Sequence, residues 1–224
     1  MNMDEIREIM LGHLVDNIEL GIMTPLKSTF QKLKERLTIE ETYNKVFFEN
    51  CVFNINKETK KGLLILSPQG VASKDIVELF SNTNILFFGL AGSLNTEIEI
   101  GSFVEVKVAT DEKKESVELV ITGKLKTVKC GYSPCILGTL AKKYCDDAKA
   151  MNCDVVDMET AYCAKTSIEK NNKFIALLLI SDMPEVINFW EISPQIQSKL
   201  KENRMISLDK IVEYINILVE KEWE

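Results

Sequence analysis

The chain has 224 residues, of which 46% are hydrophobic and 27% are charged, and this composition is typical of a globular domain with a well-buried core. The net charge of −7 argues against non-specific binding to nucleic acid or to anionic membranes, since both need basic patches. No run approaches the roughly 18 apolar residues of a membrane span, and the acidic N-terminus lacks the apolar core of a signal peptide. We therefore expect a cytoplasmic protein with one domain over residues 1–224 and with neither a nucleic-acid nor a membrane partner.

The cysteines and the single histidine, His13, restrict the chemistry that the chain can support. No C-x-x-C pair occurs and His13 lies far from the cysteines in sequence, so we expect no metal site. A Ser-His or Cys-His catalytic pair would depend on His13 alone, which favours carboxylate chemistry. In a reducing cytosol, cysteines are more often small buried hydrophobic residues. The cysteines are Cys51, Cys130, Cys135, Cys145, Cys153 and Cys163.

Hydrophobic periodicity and turn residues predict strands and helices along the whole chain. Residues 3–15 carry apolar side chains at helical spacing, and the helix capped by Ser207 has one apolar face. Pro184 breaks the chain before that helix, and Phe189 and Trp190 form either a pocket wall or ordinary core. The predicted helices cover 3–15, 25–37, 73–80, 136–149 and 207–223, and the predicted strands cover 18–23, 43–55, 63–66, 84–88, 101–109, two segments around Gly123 and 174–182.

The segment after the first strand combines a helix start with a basic residue. Thr24 is a good N-cap and Pro25 is a good first helical residue. Lys27 lies in the first turn, where free backbone N–H groups can bind an anion such as phosphate. A solvated lysine is the more common outcome at such a position, and this alternative stays open.

Two loops of small residues follow predicted strands. Ser67 to Gly70 follows strand 63–66, and a loop that contains Gly89, Ala91 and Gly92 follows the strongly apolar strand 84–88. Small residues allow a ligand to approach the backbone closely. Neither loop matches a P-loop or the G-x-G-x-x-G pattern, so we expect no cofactor.

Residues 153–183 organise the chain, because they predict strand, helix and strand with a carboxylate at each junction. Asp157, Met158 and Glu159 open the helix, and Ser181 and Asp182 close the second strand. Ligands of open α/β sheets sit outside the carboxyl ends of strands and near helix N-termini, so Glu159 and Asp182 can face one cleft. The alternative is structural, since a helix dipole favours an early acidic residue and Ser-Asp is ordinary turn chemistry.

With these residues in view, the chain resembles the nucleoside phosphorylase and nucleosidase superfamily from about Ile18 to Val219. This superfamily includes purine nucleoside and uridine phosphorylases and the methylthioadenosine/S-adenosylhomocysteine nucleosidases. The resemblance rests on VVDMETA followed by LLLISD at the right separation, and on ILFFGLAGSLNTEIEIGSFVEV. It implies an α/β fold, with three α/β/α layers in a single domain around a twisted mixed β-sheet.

The resemblance also implies roles for residues at the site. Asp182 matches the general acid that protonates the purine at N7, because a neutral base is a better leaving group than an anion. Glu159 matches the residue that binds the ribose hydroxyls, and a carboxylate there stabilises an oxocarbenium-like transition state. The other expected substrate-binding residues line the sugar or lie beside the nucleophile: Met158, Ser181, Gly89, Ala91 and Gly92.

The chain departs from the family at the site of the nucleophile. Hydrolytic members carry a water-activating glutamate in the first strand-to-helix turn, where this chain has Lys27. The same turn resembles the Asp-Pro-Leu-Arg phosphate site of the phosphorylases, with Thr24 and Lys27 as tentative phosphate ligands, although lysine binds only as a point charge. The second phosphorylase arginine and a phosphate-binding serine fall at Phe87 and Leu90. The arginines of this chain, Arg7, Arg36 and Arg204, lie elsewhere.

Three functions are compatible with these residues. We expect a nucleoside phosphorylase-like enzyme that cleaves the N-glycosidic bond of a purine nucleoside, with inorganic phosphate as nucleophile. The alternatives are a hydrolase of the same fold, with Glu49 or Glu35 as its water-activating group, and a nucleoside-binding protein without catalysis. The resemblance further implies a homo-oligomer, a dimer or a hexamer, in which His13 is similar to a histidine that phosphorylases lend to the neighbouring ribose site. The region that contacts the base in relatives holds Cys130, Tyr132, Ser133 and Cys135.

Overall fold

A computed structural model of the chain describes residues 2–12, 18–43, 48–55, 60–134, 138–184, 186 and 193–220. His13, Cys135, Phe189 and Trp190 lie outside these residues. The helices are α1 (Met3–Leu11), α2 (Lys27–Arg36), α3 (Lys74–Val77), α4 (Gly138–Ala150), α5 (Thr160–Glu169) and α6 (Pro194–Glu220), with a 3-10 turn at Gly70–Ser73. The strands are β1 (Ile18–Thr24), β2 (Thr38–Tyr43), β3 (Asn50–Asn54), β4 (Lys61–Leu66), β5 (Asn84–Ser93), β6 (Phe103–Thr110), β7 (Ser116–Glu118), β8 (Lys126–Tyr132), β9 (Val155–Asp157) and β10 (Lys173–Asp182).

The strands form one mixed sheet, part of which closes on itself. One arm runs β2-β3-β4-β1-β5, and from β5 the sheet continues through β10, β6, β8 and β9 back to β5. Parallel pairs join β1 with β4 and β5, β5 with β10, and β8 with β6 and β9, whereas the remaining pairs are antiparallel. Closure of the five-strand ring leaves none of its members as a free edge.

Helices cover both faces of the sheet. In β10, alternate residues point to opposite faces: Phe174 and Ala176 join the core cluster that includes the α5 residues Ala161 and Cys163. Ile175 joins the cluster that includes residues of α2 and α6. This period of two explains why the run is apolar throughout, since a strand that is covered on both faces has no polar side. The predicted three-layer α/β/α architecture is confirmed.

The five described cysteines, Cys51, Cys130, Cys145, Cys153 and Cys163, are buried free thiols, as predicted. No helix in the described part of the chain is long and apolar enough to cross a membrane.

The prediction that Thr24 caps the second helix is wrong. Thr24 is the last residue of β1 and pairs with Leu66 of β4, so its backbone belongs to the sheet. Its Oγ1 accepts a hydrogen bond from the N–H of Leu26 (3.3 Å). The helix starts at Lys27 with Leu26 in the N-cap position and no side-chain cap, so Pro25 is outside it.

The predicted loop that begins at Gly89 is also wrong, because β5 continues through it to Ser93. Gly89 pairs with Leu178 and Gly92 pairs with Asp182, so the partner β10 keeps these small residues in the strand. Small residues at a strand end suggested a turn, but a continuous partner strand decided the conformation.

Two further boundaries differ from the prediction because the segments concerned are polar. The predicted strand 43–55 begins only at Asn50, and the polar edge strand β2 precedes it. Helix α6 begins at Pro194 rather than after Ser207; Ser193 Oγ accepts a hydrogen bond from the Ile196 N–H (3.3 Å) at its start. The first turns of α6 are mostly exposed, so they lack the apolar periodicity that marks its second half.

Ser73 occupies the N-cap position of a helix, as predicted, but its side chain does not cap it, and the helix covers only Lys74–Val77 rather than residues 73–80. A 3-10 turn runs into the short helix α3, and Ser73 Oγ donates to the Pro68 carbonyl (2.5 Å). Between β7 and β8, the segment around Gly123 is held by the fully buried Glu105, which accepts from the N–H groups of Thr122 (2.6 Å) and Gly123 (3.2 Å).

Candidate active site

Asp182 lies at the carboxyl end of β10, where the sequence placed it. Its side chain is 8% exposed, and Oδ1 accepts a hydrogen bond from Ser181 Oγ (2.6 Å). Ser181 Oγ also lies 3.2 Å from the carbonyl oxygen of Ala91 on β5. Burial raises the pKa of Asp182, and the hydrogen bond from Ser181 opposes that rise only in part. A carboxyl that holds its proton more strongly than usual is suited to act as a general acid.

Gly92 allows the Asp182 carboxyl to pack directly on β5. A Cβ atom at Gly92 would lie 2.7 Å from Cγ of Pro184 and 3.5 Å from Oδ2 of Asp182. At Gly89, a Cβ atom would lie 2.7 Å from the ring of Phe87. The space beside both glycines is thus already occupied by side chains of this chain, so packing alone requires small residues here.

Glu159 lies at the N-cap position of α5 and is 5% exposed. Its Oε1 accepts a hydrogen bond from the backbone N–H of Gly70 (2.7 Å). Gly70 has a φ of +68°, a conformation that favours glycine. Met158 packs against the same turn, since its Cε lies 3.6 Å from where a Cβ of Gly70 would be. The turn after β4 therefore holds Glu159 and Met158, a role that only its small residues hinted at in the sequence.

Asp157 is a buried carboxylate whose role the sequence did not reveal. It ends β9 and is 4% exposed. Its oxygens accept hydrogen bonds from the N–H of Thr160 (3.1 and 3.2 Å), from Thr160 Oγ1 and from Cys130 Sγ (3.4 Å). Burial raises its pKa to about 6, and these hydrogen bonds limit the rise. A short acidic residue three positions before Thr160 was the available signal, since this spacing is typical of a helix cap.

The Glu159 carboxyl is harder to ionise than the Asp157 carboxyl. Burial, followed by the negative charge of Asp157, raises the pKa of Glu159 to about 7, although the Gly70 N–H opposes this. Two buried carboxyls without a cation between them repel each other when both are ionised. Glu159 therefore titrates close to neutral pH.

The sheet brings the carboxyls of Asp182 and Asp157 to one edge. Gly92 pairs with Asp182 on one side and with Val156, the neighbour of Asp157, on the other. Adjacent strands lie about 4.8 Å apart, so the ends of β9 and β10 are roughly 10 Å from each other across β5. Thr24 ends β1 on the same side of the sheet, and its carbonyl accepts from the N–H of Ser67 (3.0 Å). This register brings Asp182 and Asp157 to one region, and Glu159 follows Asp157 by two residues. That Asp182 and Glu159 face one cleft stays a prediction.

The tentative phosphate ligands do not form a cationic cluster. Lys27 is exposed at the start of α2, and among the described residues its ammonium group has no ionic partner. Arg7 donates to the Leu79 carbonyl (2.7 Å) and pairs with Asp4, and Arg36 pairs with Asp209 (2.9 Å). Both of these arginines are therefore occupied in holding elements together.

The two carboxylates suggested as water-activating groups lie in the layer of α2. Glu49 accepts from Gln31 Nε2 (2.9 Å) and lies 3.9 Å from Lys34 Nζ. Glu35 is exposed on α2 itself. Neither is part of the group that Gly70, Glu159 and Asp157 form.

The chain is similar in its arrangement of strands and helices to solved structures of nucleosidases and of a futalosine hydrolase. The 5′-methylthioadenosine/S-adenosylhomocysteine nucleosidase of Campylobacter jejuni superposes with a TM-score of 0.74 at 14% identity, covering 89% of this chain and 99% of that one. S-adenosylhomocysteine nucleosidase of Streptococcus pyogenes gives 0.68 at 12%, covering 91% and 98%. A futalosine hydrolase mutant of Helicobacter pylori gives 0.66 at 14%, covering 85% and 97%. The chain has the nucleosidase fold.

No protein-family model matches the chain, and no curated protein does. The nucleosidase fold confirms the resemblance that VVDMETA and LLLISD indicated, at the level of architecture. The relatives of this fold named above are a hydrolase and nucleosidases, and none is a phosphorylase. The expectation that phosphate is the nucleophile thus gains no support, either from these structures or from the position of Lys27.

Proposed function

We propose that this chain hydrolyses the N-glycosidic bond of a nucleoside, with purine nucleosides as its preferred substrates. The observation that carries the proposal is the buried Asp182 carboxyl, with its raised pKa, at the end of β10. It pairs with Gly92, and Gly92 also pairs with Val156, three positions before Glu159. The names of the similar structures support it, since those proteins are nucleosidases of adenosine derivatives or a futalosine hydrolase.

Asp182 supplies the proton in the proposed reaction. Its carboxyl donates that proton to the purine ring as the bond between base and sugar breaks, so that the base leaves as a neutral molecule. The Ser181 hydroxyl donates a hydrogen bond to Asp182 Oδ1 and so orients the carboxyl. Burial keeps the proton on Asp182 at a higher pH than in water, which matches the requirement for an acid.

Glu159 stabilises the sugar in the proposed reaction. One carboxyl oxygen is held by Gly70, which leaves the rest of the group to accept from ribose hydroxyls. As the base departs, positive charge develops on the sugar ring, and an ionised Glu159 attracts it in a site with little water. The reaction therefore needs Glu159 in its charged form, and the rate should rise as pH increases through about 7.

Water rather than phosphate is the proposed nucleophile. A phosphate site needs several positive groups or N–H donors, whereas Lys27 is exposed and Arg7 and Arg36 are engaged elsewhere. A sugar with strong cationic character is attacked readily by water that is held in place. Hydrolysis therefore needs fewer protein groups at the nucleophile site than phosphorolysis does.

A nucleoside-binding protein without catalysis is the second candidate. The observation that favours it is the turn Thr24-Pro25-Leu26-Lys27, which contains no carboxylate to activate water. In this case the carboxyls at the site would bind the ribose and the base, but no product would form.

Base release from a panel of purine and pyrimidine nucleosides, with and without phosphate, tests these proposals. Hydrolysis predicts release that is independent of phosphate and is lost in Asp182→Asn. Release that requires phosphate would restore the phosphorylase interpretation. Saturable binding by calorimetry without release of any base would favour the second candidate.

The homo-oligomer, a dimer or a hexamer, stays a proposal that rests on the resemblance. Light scattering coupled to size-exclusion chromatography measures the mass in solution and tests it directly. A single domain over residues 1–224 and a cytoplasmic location also stay predictions.

A further inference from the structure

Asp157 is a buried acidic group to which the proposed reaction gives no role. Its carboxylate accepts from the Thr160 N–H, from the Thr160 hydroxyl and from the Cys130 thiol, so its charged form has several donors. Thr160 is the first residue of α5, and Cys130 lies on the neighbouring strand β8. The side chain therefore ties the start of α5 to two strands of the closed part of the sheet.

Glu159 lies between Asp157 and Thr160 in the same tight segment. Its carboxyl has one charge-stabilising contact from another element, the Gly70 N–H at 2.7 Å. Within the residues that the structure describes, no lysine or arginine pairs with either Asp157 or Glu159. Besides burial, it is the charge of Asp157, two residues earlier in the chain, that raises the pKa of Glu159, and this charge is negative.

We propose that Asp157 is a positioning residue for Glu159, which anchors the first turn of α5 and keeps a fixed negative charge beside the carboxyl that meets the ribose. This inference rests on the proposed function. Because Asp157 has more hydrogen-bond donors, it ionises first, and its charge then opposes the ionisation of Glu159. Glu159 therefore becomes charged only as the pH rises through about 7, and the two carboxylates together then attract the cationic sugar.

Other titratable groups lie on α5 and on the elements that pack against it. Among them are Cys130 and Tyr132 on β8, Glu105 on β6, Lys74 and Asp75 on α3, Asp182 on β10, and Cys163 and Lys165 on α5 itself. The thiols of Cys130 and Cys163 are buried, and burial raises the pKa of both, so they stay neutral at neutral pH. Asp157 is thus the group whose removal should change the titration of Glu159.

Carbon-13 NMR of glutamate and aspartate carboxyls tests the proposal in the full chain without any substrate. Glu159→Gln assigns the Glu159 resonance. In Asp157→Asn, the Glu159 titration midpoint should fall by about one pH unit, the size of effect that a close like charge has. In the control Asp154→Asn it should not move, because Asp154 is bonded to Asn95 and to the Lys129 N–H instead. An unchanged midpoint in Asp157→Asn would overturn the proposal.

If Asp157→Asn does not fold, Thr160→Val provides the second test. Loss of the hydroxyl donor makes Asp157 harder to ionise, so the midpoint of the Asp157 resonance should rise. A midpoint that stays in place would show that Thr160 does not hold the Asp157 charge, which contradicts the anchoring role.

The pH profile of base release extends the test to catalysis. The acidic limb of kcat/KM reports groups of the free enzyme. In Asp157→Asn, this limb should move to lower pH together with the NMR midpoint, while Asp154→Asn keeps the wild-type profile. If the acidic limb of kcat/KM does not shift together with the Glu159 titration midpoint, ionisation of Glu159 does not control the rate. If the wild-type protein releases no base, the proposed function fails, whereas the NMR titration still decides how Asp157 acts on Glu159.

Discussion

Replacing Glu159 by glutamine should stabilise the protein at high pH and not at low pH. The amide oxygen can still accept the hydrogen bond from Gly70, and the volume of the side chain hardly changes. The substitution therefore removes a buried ionisable group and little else. Its effect on stability isolates the free energy that ionisation of Glu159 costs in the folded state.

The magnitude follows from the pKa of Glu159, which rises from 4.5 to about 7 on folding. A group with a raised pKa binds its proton more tightly in the native state, so its stabilising contribution is complete below pH 4.5 and is lost as pH rises through 7. Such a rise corresponds to about 3 kcal/mol. At pH 8, Glu159→Gln should gain this amount over the wild-type chain, which is roughly 6–12 °C in Tm for a chain of this size.

Urea unfolding of both proteins at pH 5 and at pH 8, at one protein concentration, measures the difference. Glu118→Gln is the matched control, because this glutamate is exposed and its charge stays in water in both states. The same Glu159 variant should lose base release by at least about 100-fold, since the sugar cation loses its counter-charge. If the stability gain of Glu159→Gln is equal at pH 5 and pH 8, burial of the Glu159 charge is not costly and the reasoning is refuted.

Three further changes test other parts of the site. Asp182→Asn should lower base release by at least about 100-fold, because the amide cannot protonate the base, while calorimetry shows nucleoside binding retained. Gly92→Ala should cost roughly 1–3 kcal/mol in urea unfolding, because its Cβ would lie 2.7 Å from Pro184; a neutral result would mean that Pro184 moves freely. Lys27→Ala should leave the rate of base release unchanged within about twofold with and without phosphate, since an exposed lysine contributes little; a loss confined to phosphate-containing buffer would identify a phosphate site.

The layers and the strands at their centre could be predicted from the sequence. The apolar runs of β5 and β10 leave no polar side, so each had to be covered on both faces. Polar residues directly after such a run must come out at the sheet edge, which is why Asp182 could be placed before its neighbours were known. The position of Glu159 followed from the same rule applied to a helix start.

The contacts that tune the site could not be predicted, because they join distant parts of the chain. Nothing in the order of residues indicated that Gly70 donates to Glu159, 89 positions later. The sequence suggested that Cys130 is a small buried hydrophobic residue. Only the pairing of β8 with β9 shows that its thiol contacts Asp157. Edge elements such as β2 were missed for another reason, since a strand with exposed polar residues lacks the alternation that identifies strands.

The pairing of β5 with β10 also determines when the site can form during synthesis. Ser181 contacts Ala91 across 90 positions, and Glu159 reaches Gly70 across 89. A growing chain can fold the β1-β4-β5 arm early, but the ring stays open until β10 has left the ribosome, and closing so large a loop is slow. Partly folded chains therefore lack the proposed acid, Asp182, and the proposed ribose-binding group, Glu159, in one site. Base release, if it is found, would report the completed fold. A nucleoside that binds only after β10 has paired would stabilise the closed ring relative to chains in which β10 is still unpaired.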